Sequence, residues 1–173
     1  MSDANAHGTK TGRPDGGPLD AGPRMIAIVG PYGSGKTTLL ESLLHMTGAT
    51  TRKGSLTAGN TVGDSSAEAR ARHMSTEPNA AVTTWLGDQY AFVDCPGSIE
   101  FLHDTLAVIA AADAAVVVAE PDPAKAQLLQ PFLKALDDAG VPHLVFVNKI
   151  DKAQGHIRDL LADLQPMSAT PLV

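Results

Sequence analysis

Cysteine is almost absent from this chain, which has only Cys95 in 173 residues. A disulfide framework is therefore excluded, and a cytoplasmic protein is the default expectation. Basic residues are also few, because 13 lysines and arginines stand against 19 carboxylates and give a net charge of −6. With no basic stripe, we expect this chain alone to bind neither nucleic acid nor an anionic membrane. No apolar run approaches a membrane span, and the polar N-terminus lacks the hydrophobic region of a signal peptide.

The length suits one ordinary domain with a buried core. Residues 1–23 are rich in Gly, Pro, Asp, Ala and Asn and show no periodicity. This segment cannot bury enough apolar surface to offset its chain entropy, so we predict a disordered tail followed by a single domain over residues 24–173. The histidines show no metal-ligand spacing such as H-E-x-x-H.

A glycine-rich octapeptide fits the pattern G-x-x-x-x-G-K-[ST] and is called the phosphate loop below. Its residues are Gly30, Pro31, Tyr32, Gly33, Ser34, Gly35, Lys36 and Thr37. The apolar residues 25–29 before it predict a buried parallel strand, and residues 38–46 after it predict a helix. The loop could point successive N–H groups at a phosphate chain, with Lys36 on the β- and γ-phosphates and the Thr37 hydroxyl on Mg²⁺. The alternative is a glycine-rich turn that binds nothing.

A long segment without an apolar face, residues 47–79, follows this helix. It holds several glycines and a charged patch at residues 68–72. Long irregular loops in compact domains are usually functional or mobile. Its position after a phosphate loop favours a nucleotide-sensing switch over a plain surface loop.

Residues 80–86 and 89–93 predict a β-hairpin with its tight turn at Gly87-Asp88. The second strand leads directly into a short polar segment, Asp94-Cys95-Pro96-Gly97. An acidic residue at the carboxyl end of a strand lies where α/β sheets bind their ligands. Asp94 could therefore hold Mg²⁺ through water, and the N–H of Gly97 could contact a γ-phosphate. By itself, D-x-P-G is a common turn.

Further helices and strands are predicted downstream. They are a helix over residues 99–112, a strand over 114–119, a helix from Pro121-Asp122-Pro123 to residue 139, a strand over 143–147 and a helix over 155–164. The helix over residues 99–112 has four apolar side chains on one side, Phe101, Leu102, Leu106 and Ile109. The helix that ends at residue 139 has apolar side chains that recur at helical spacing and are expected in the core, Leu128, Leu129, Phe132, Leu133 and Leu136.

The strand over residues 143–147 leads to Asn148-Lys149-Ile150-Asp151 at the same edge of the predicted sheet. Asp151 can accept hydrogen bonds from N1–H and the exocyclic amine of guanine. Adenine has an acceptor at N1 and no 2-amino group, so it would leave this carboxylate unpaired, a mismatch that discriminates strongly. Asn148 would brace the base and the phosphate loop, and the stem of Lys149 would cover the base.

These three segments, in this order, resemble the GTP-binding domain of translational GTPases, especially elongation factor G and its paralogues, which include the elongation-factor-G-like and ribosomal-protection groups. The resemblance extends from about Arg24 to the end of the chain. It implies GTP or GDP and Mg²⁺ as cofactors, and a three-layer α/β phosphate-loop fold whose mostly parallel sheet has one antiparallel strand and lacks its last strand. The implied nucleotide-binding residues are Gly30, Pro31, Tyr32, Gly33, Ser34, Gly35, Lys36, Thr37, Thr38, Asp94, Cys95, Pro96, Gly97, Asn148, Lys149, Ile150 and Asp151.

Factors of this kind continue into further domains that engage the ribosome. The resemblance therefore implies that residues 24–173 are an incomplete translational-type GTP-binding domain at the N-terminus of a longer factor. Contacts with the ribosome would belong to domains outside this chain, and we expect the chain itself to be a monomer in the cytoplasm.

Three departures from the family pattern concern hydrolysis. Gly33 stands where the family usually has an aspartate. The segment Arg72-His73-Met74-Ser75 is the best match to the R-G-I-T segment of the first switch, so the resemblance implies Ser75 as a third Mg²⁺ ligand beside Thr37 and Asp94. Ser98 replaces the histidine of D-x-P-G-H and has no imidazole, which argues against the usual route of ribosome-stimulated hydrolysis.

Our leading hypothesis is a GTP-binding and GTP-hydrolysing domain of an elongation-factor-G-like protein, with Lys36 and Gly97 as the catalytic residues. The first alternative is a guanine-nucleotide-binding module with negligible hydrolysis. The second alternative is an inert fragment of the longer factor.

Overall fold

The structure, a computed structural model, describes residues 22–55, 58–62, 75–153 and 155–169. Its strands are β1 (Arg24–Val29), β2 (Asn79–Trp85), β3 (Asp88–Asp94), β4 (Ala114–Ala119) and β5 (His143–Val147). Its helices are α1 (Lys36–Met46), α2 (Leu102–Ala111), α3 (Pro123–Ala126), α4 (Gln130–Ala139) and α5 (Ile157–Leu164). The charged patch at residues 68–72, the switch residues 72–74 and all but the last two residues of the predicted tail lie outside the described residues.

The five described strands form one sheet in the order β2-β3-β1-β4-β5. Strand β1 pairs in parallel with β3 and β4, and β4 pairs in parallel with β5. Only β2 runs antiparallel, because a hairpin joins it to β3. The prediction of a mostly parallel sheet with one antiparallel strand is confirmed.

Helices cover both faces of the sheet because neighbouring residues of the central strands point to opposite sides. Ile28 of β1 packs with Leu40 and Leu44 of α1 on one face. Val29 of β1 lies on the other face, in a larger core that includes Ile109 of α2 and residues of α4 and α5. This arrangement confirms the predicted three-layer α/β fold. None of the helices in the described part of the chain is long and apolar enough to cross a membrane.

The predicted core position of Leu128 is wrong, since its side chain is 53% exposed. The expected helix over residues 121–139 is divided into α3 and α4 by a 3₁₀ turn, Gln127–Leu129. A 3₁₀ turn has three residues per turn, so it shifts the positions that face the core. Leu128 points to solvent as a result, whereas Leu129 is buried.

Leu106 of α2 is also exposed, although it lies on the apolar side of the predicted helix. The predicted helix over residues 99–112 begins with a 3₁₀ turn, Ile99–Phe101, and becomes α-helical at Leu102. The buried positions of α2 are Thr105 and Ile109, which lie four residues apart on one face. Leu106 lies next to this face and remains at the surface.

The hairpin turn lies at Leu86-Gly87, one residue earlier than predicted. Asp88 begins β3 and pairs with Trp85, the last residue of β2. Both turn residues have positive φ, 51° at Leu86 and 88° at Gly87. Two-residue hairpin turns of type I′ require positive φ at both positions. Leucine disfavours that conformation, which is why the sequence favoured Gly87-Asp88 instead.

Candidate nucleotide-binding site

The phosphate loop lies at the carboxyl end of β1, the central strand of the sheet. Strands β2 and β3 lie on one side of β1, and β4 and β5 lie on the other. The loop therefore lies where the strand order of the sheet reverses direction. Open α/β sheets bind their ligands in the crevice at such a point. The loop ends at Gly35, and α1 begins at Lys36, so free N–H groups of the first helical turn lie beside the loop.

Lys36 is folded over the backbone of the loop. Its side chain is largely buried, and Nζ donates a hydrogen bond to the carbonyl oxygen of Pro31 at 3.1 Å. Burial lowers the pKa of Lys36, although the nearby Asp94 and Cys95 act to raise it. A buried cation of this kind favours an anionic ligand such as phosphate, which would compensate for lost hydration.

Thr37 contacts Asp94 across the site. Thr37 Oγ1 donates a hydrogen bond to Asp94 Oδ2 at 2.6 Å, and both residues are buried. Asp94 is the last residue of β3, and the next backbone N–H, that of Cys95, donates to Ile28 of β1 at 3.0 Å. A hydroxyl and a carboxylate oxygen are hard donors of the type that Mg²⁺ prefers, so this pair fits a magnesium site. The assignment of Ser75 as a third ligand stays a prediction.

Gly97 packs directly against the phosphate loop. A Cβ at this position would lie 2.6 Å from the backbone nitrogen of Tyr32 and would also collide with Lys36 Nζ. The close approach therefore requires glycine. Thr105 of α2 holds the preceding residue by donating from Oγ1 to the carbonyl oxygen of Pro96 at 3.1 Å.

Asn148 and Lys149 join the phosphate loop to the end of β5. Asn148 Nδ2 donates to the carbonyl oxygen of Ser34 at 2.8 Å, and Lys149 Nζ donates to that of Gly33 at 2.5 Å. More than a hundred residues of sequence separate the partners. Two of the three sequence motifs thus form one continuous hydrogen-bonded surface. The other exposed residues of the predicted site are Tyr32, Thr38, Ile150 and Asp151.

Ser34 has a buried hydroxyl at the back of the phosphate loop. Its Oγ makes no hydrogen bond to any part of the chain that the structure describes. Buried polar atoms without a partner are rare in proteins and often mark functional sites.

Glu120, which the sequence analysis did not single out, also contacts this surface. It follows β4 directly and forms ion pairs with Lys149 Nζ at 3.2 Å and with Lys125 Nζ at 2.9 Å. Burial acts to raise the pKa of Glu120, but hydrogen bonds from Lys125 and Lys149 outweigh it and lower the pKa below its usual range. Its position after a buried strand was the signal that could have identified it.

Glu41 is a second residue that the sequence analysis missed. This α1 carboxylate is buried and accepts hydrogen bonds from the backbone N–H groups of Gly54, at 2.8 Å, and Val62, at 2.5 Å. It therefore anchors part of the loop after α1 to the helix that begins at the phosphate loop. A charged residue beside the core positions Leu40 and Leu44 was the available signal.

Cys95 lies fully buried between Asp94 and Pro96. Burial and the nearby Asp94 raise the pKa of this thiol to about 12, although Lys36 acts to lower it. Because the thiolate is the reactive form, we expect the folded chain to resist labelling by a thiol reagent under mildly alkaline conditions. The chain unfolded in guanidinium should react fully. Rapid labelling of the folded chain would contradict this burial.

The sheet order and the phosphate loop define the class of protein: an α/β nucleotide-binding domain of the phosphate-loop type. The model of one family, the elongation factor Tu GTP-binding domain, matches residues 22–169. The chain therefore belongs to the elongation factor Tu GTP-binding domain family. The resemblance to translational GTPases that the motifs suggested is confirmed.

Individual relatives point the same way. The elongation factor G-like protein of Synechocystis sp. is 47% identical over 156 residues, which are 90% of this chain and 23% of the relative. The elongation factor G-like protein of Mycobacterium tuberculosis is 31% identical over 144 residues, 83% of this chain and 20% of the relative. A crystal structure of a protein from Thermus thermophilus matches with a TM-score of 0.73 and 32% identity, over 83% of this chain and 22% of that one. The chain thus spans less than a quarter of the length of each.

Proposed function

We propose that the chain binds GTP and GDP with Mg²⁺, as the nucleotide-binding domain of an elongation-factor-G-like protein that acts on the ribosome. The observation that supports this most directly is the pair of hydrogen bonds from Asn148 and Lys149 to the phosphate loop. A segment suited to guanine and a loop suited to phosphates would then bind opposite ends of one nucleotide.

Each part of the site has a separate role in this proposal. The backbone N–H groups of the loop and the ammonium of Lys36 bind phosphate oxygens. Thr37, Asp94 and Ser75 hold Mg²⁺, which neutralises phosphate charge. Asp151 selects guanine, because only guanine offers this carboxylate two donors. The proposed nucleotide-binding set is that of the sequence analysis, residues 30–38, 94–97 and 148–151.

Hydrolysis would be an in-line attack of water on the γ-phosphate. Lys36 would stabilise the charge that develops on the phosphate oxygens, and the N–H of Gly97 would donate to the same group. Gly97 lies against the loop backbone and Lys36, which suits this role.

A second candidate function is a guanine-nucleotide switch with negligible hydrolysis. Gly33 and Ser98 favour it, since neither supplies the side chain that the family usually places there. Single-turnover measurement of phosphate release by the full-length factor, with and without purified ribosomes, separates the two candidates. Strong stimulation by ribosomes would exclude the passive switch, and a rate equal to that without ribosomes would favour it.

The proposal also covers the longer protein to which the chain would belong. Since the chain spans a small fraction of its relatives, ribosome contacts are assigned to regions outside it. We further propose a monomer that acts in the cytoplasm.

Calorimetric titration of the purified chain with GDP, GTP and ATP in the presence of Mg²⁺ tests the proposed function. Both guanine nucleotides should bind, and ATP should not, because adenine leaves the Asp151 carboxylate unpaired. Equal affinity for ATP would contradict base selection at Asp151. A far-ultraviolet circular dichroism melt accompanies the titration. A cooperative transition without binding would contradict the proposal itself, whereas no transition would support the inert-fragment alternative.

A further inference from the structure

We propose that Glu120 is a positioning residue for guanine-nucleotide binding. Its carboxylate would hold the ammonium of Lys149 against the phosphate loop, so that the stem of Lys149 is in place before the base arrives. This inference rests on the proposed function and names a residue outside the three sequence motifs.

The topology brings Glu120 and Lys149 together at one edge of the sheet. They follow the neighbouring parallel strands β4 and β5, and the backbone N–H of Asn148 donates to the carbonyl oxygen of Ala119 at 2.8 Å. Glu120 and Lys149 are therefore the residues that directly follow the two partners of this hydrogen bond. The two side chains reach the same surface without any rearrangement of the backbone.

The ammonium of Lys149 joins three segments of the chain. Its Nζ donates to the carbonyl oxygen of Gly33 at 2.5 Å and lies 3.2 Å from Glu120 Oε1. The phosphate loop and the ends of β4 and β5 thus meet at one group. The described residues give the Lys149 ammonium these two partners. Without the Glu120 carboxylate, only the Gly33 carbonyl of the two would remain.

The geometry of Glu120 suits it to hold a flexible partner. Its side chain is only 14% exposed, and its second oxygen is 2.9 Å from Lys125 Nζ, so the carboxylate is held from both sides. Lysine has a long side chain with many rotamers, and fixing it in advance removes an entropy cost from ligand binding. Lys149 also has a positive φ of 55°, which fixes the direction in which its side chain starts.

The competing interpretation is an ordinary surface ion pair. Such pairs contribute little to stability. An ordinary pair of this kind would not position Lys149 for the base. A double-mutant cycle on GDP affinity separates the two interpretations, because residues that act through one another are not additive.

The cycle compares the wild-type chain, Glu120→Gln, Lys149→Met and the double variant by titration with GDP and Mg²⁺. We expect Glu120→Gln to weaken GDP binding roughly fivefold, which is the upper range for a partly exposed pair. In the Lys149→Met background, the same change should weaken binding less than about twofold, because its partner is gone. The matched control is Asp138→Asn, which breaks the exposed pair with Lys134 on α4 and should leave GDP affinity unchanged.

Two results would overturn the inference: unchanged affinity in Glu120→Gln, or the same loss in both backgrounds, which would indicate a role independent of Lys149. Melting of each nucleotide-free variant checks folding. Glu120→Asp provides a second test if Gln lowers the melting temperature, since the retained charge should preserve part of the affinity. Failure of the wild-type chain to bind GDP would instead refute the proposed function, and the inference with it.

Discussion

Replacing Lys36 with alanine should remove tight GTP binding. The buried ammonium folds over the phosphate loop, where it makes a hydrogen bond to Pro31, and in the proposed function it would move to phosphate oxygens. Removing one partner of a buried charge pair costs about 2–5 kcal/mol, which corresponds to roughly a 30- to 5,000-fold rise in Kd. Titration of the variant with GTP and Mg²⁺ measures this loss.

The matched control for this variant is Lys134→Ala. Lys134 is exposed on α4 and pairs with Asp138, so the control removes the same charge from the surface. GTP should bind the control with wild-type affinity. If Lys36→Ala bound GTP as tightly as the control, the role assigned to Lys36 would be wrong.

The nucleotide-free chain should not lose stability when the charge of Lys36 is removed. Burial lowers the pKa of Lys36 from 10.5, so the folded state holds this proton less tightly than the unfolded state. The protonated lysine therefore opposes folding below its folded pKa, and the penalty disappears only as the pH rises past 10.5. Lys36→Met keeps the apolar stem and should have an unchanged or higher free energy of unfolding near neutral pH. A clear loss in urea denaturation would contradict this reasoning.

Most of the fold could be predicted because its strands are short apolar runs between clear turn residues. Strand β4 and strand β5 have the predicted bounds. The errors have local causes that the sequence pattern does not contain. A 3₁₀ turn before α4 exposes Leu128, and a leucine with positive φ moves the hairpin turn to Leu86-Gly87. The pairing of Trp85 with Asp88 leaves Leu86-Gly87 as the two turn residues, whatever their local preference.

The candidate site shows a similar division. The phosphate loop, Asp94 and Asn148 could be identified because each follows a strand and matches a pattern with a known physical basis. Glu120 and Glu41 offered only weak positional signals and match no such pattern, since their importance depends on partners that only the fold brings close: Lys149 for one and two backbone N–H groups for the other. Spacing within a motif is visible in a sequence, whereas a contact between distant segments is not.

Replacing Gly35 with alanine should break the contact between the phosphate loop and Asn148 and so weaken GDP binding. Gly35 has a φ of 101°, and a Cβ there would collide with Asn148 Nδ2, the group that donates to Ser34. The variant can fold only if Asn148 moves away, and nucleotide binding would have to reverse that movement. A lost hydrogen bond of about 1–3 kcal/mol and a left-handed alanine at about 1–2 kcal/mol together predict a roughly 30- to 5,000-fold rise in the Kd for GDP.

Gly33→Ala is the matched control, because Gly33 also has positive φ, 75°, but among the described residues no neighbouring atom lies within 4 Å of the added Cβ. Both variants place alanine in the left-handed region, and only Gly35→Ala adds a collision. We therefore expect Gly33→Ala to weaken GDP binding by roughly 5- to 30-fold, in line with the conformational cost alone. Equal losses in the two variants would mean that the backbone conformation of the loop determines affinity. In that case the contact between Asn148 and Ser34 would not be what couples phosphate binding to base binding.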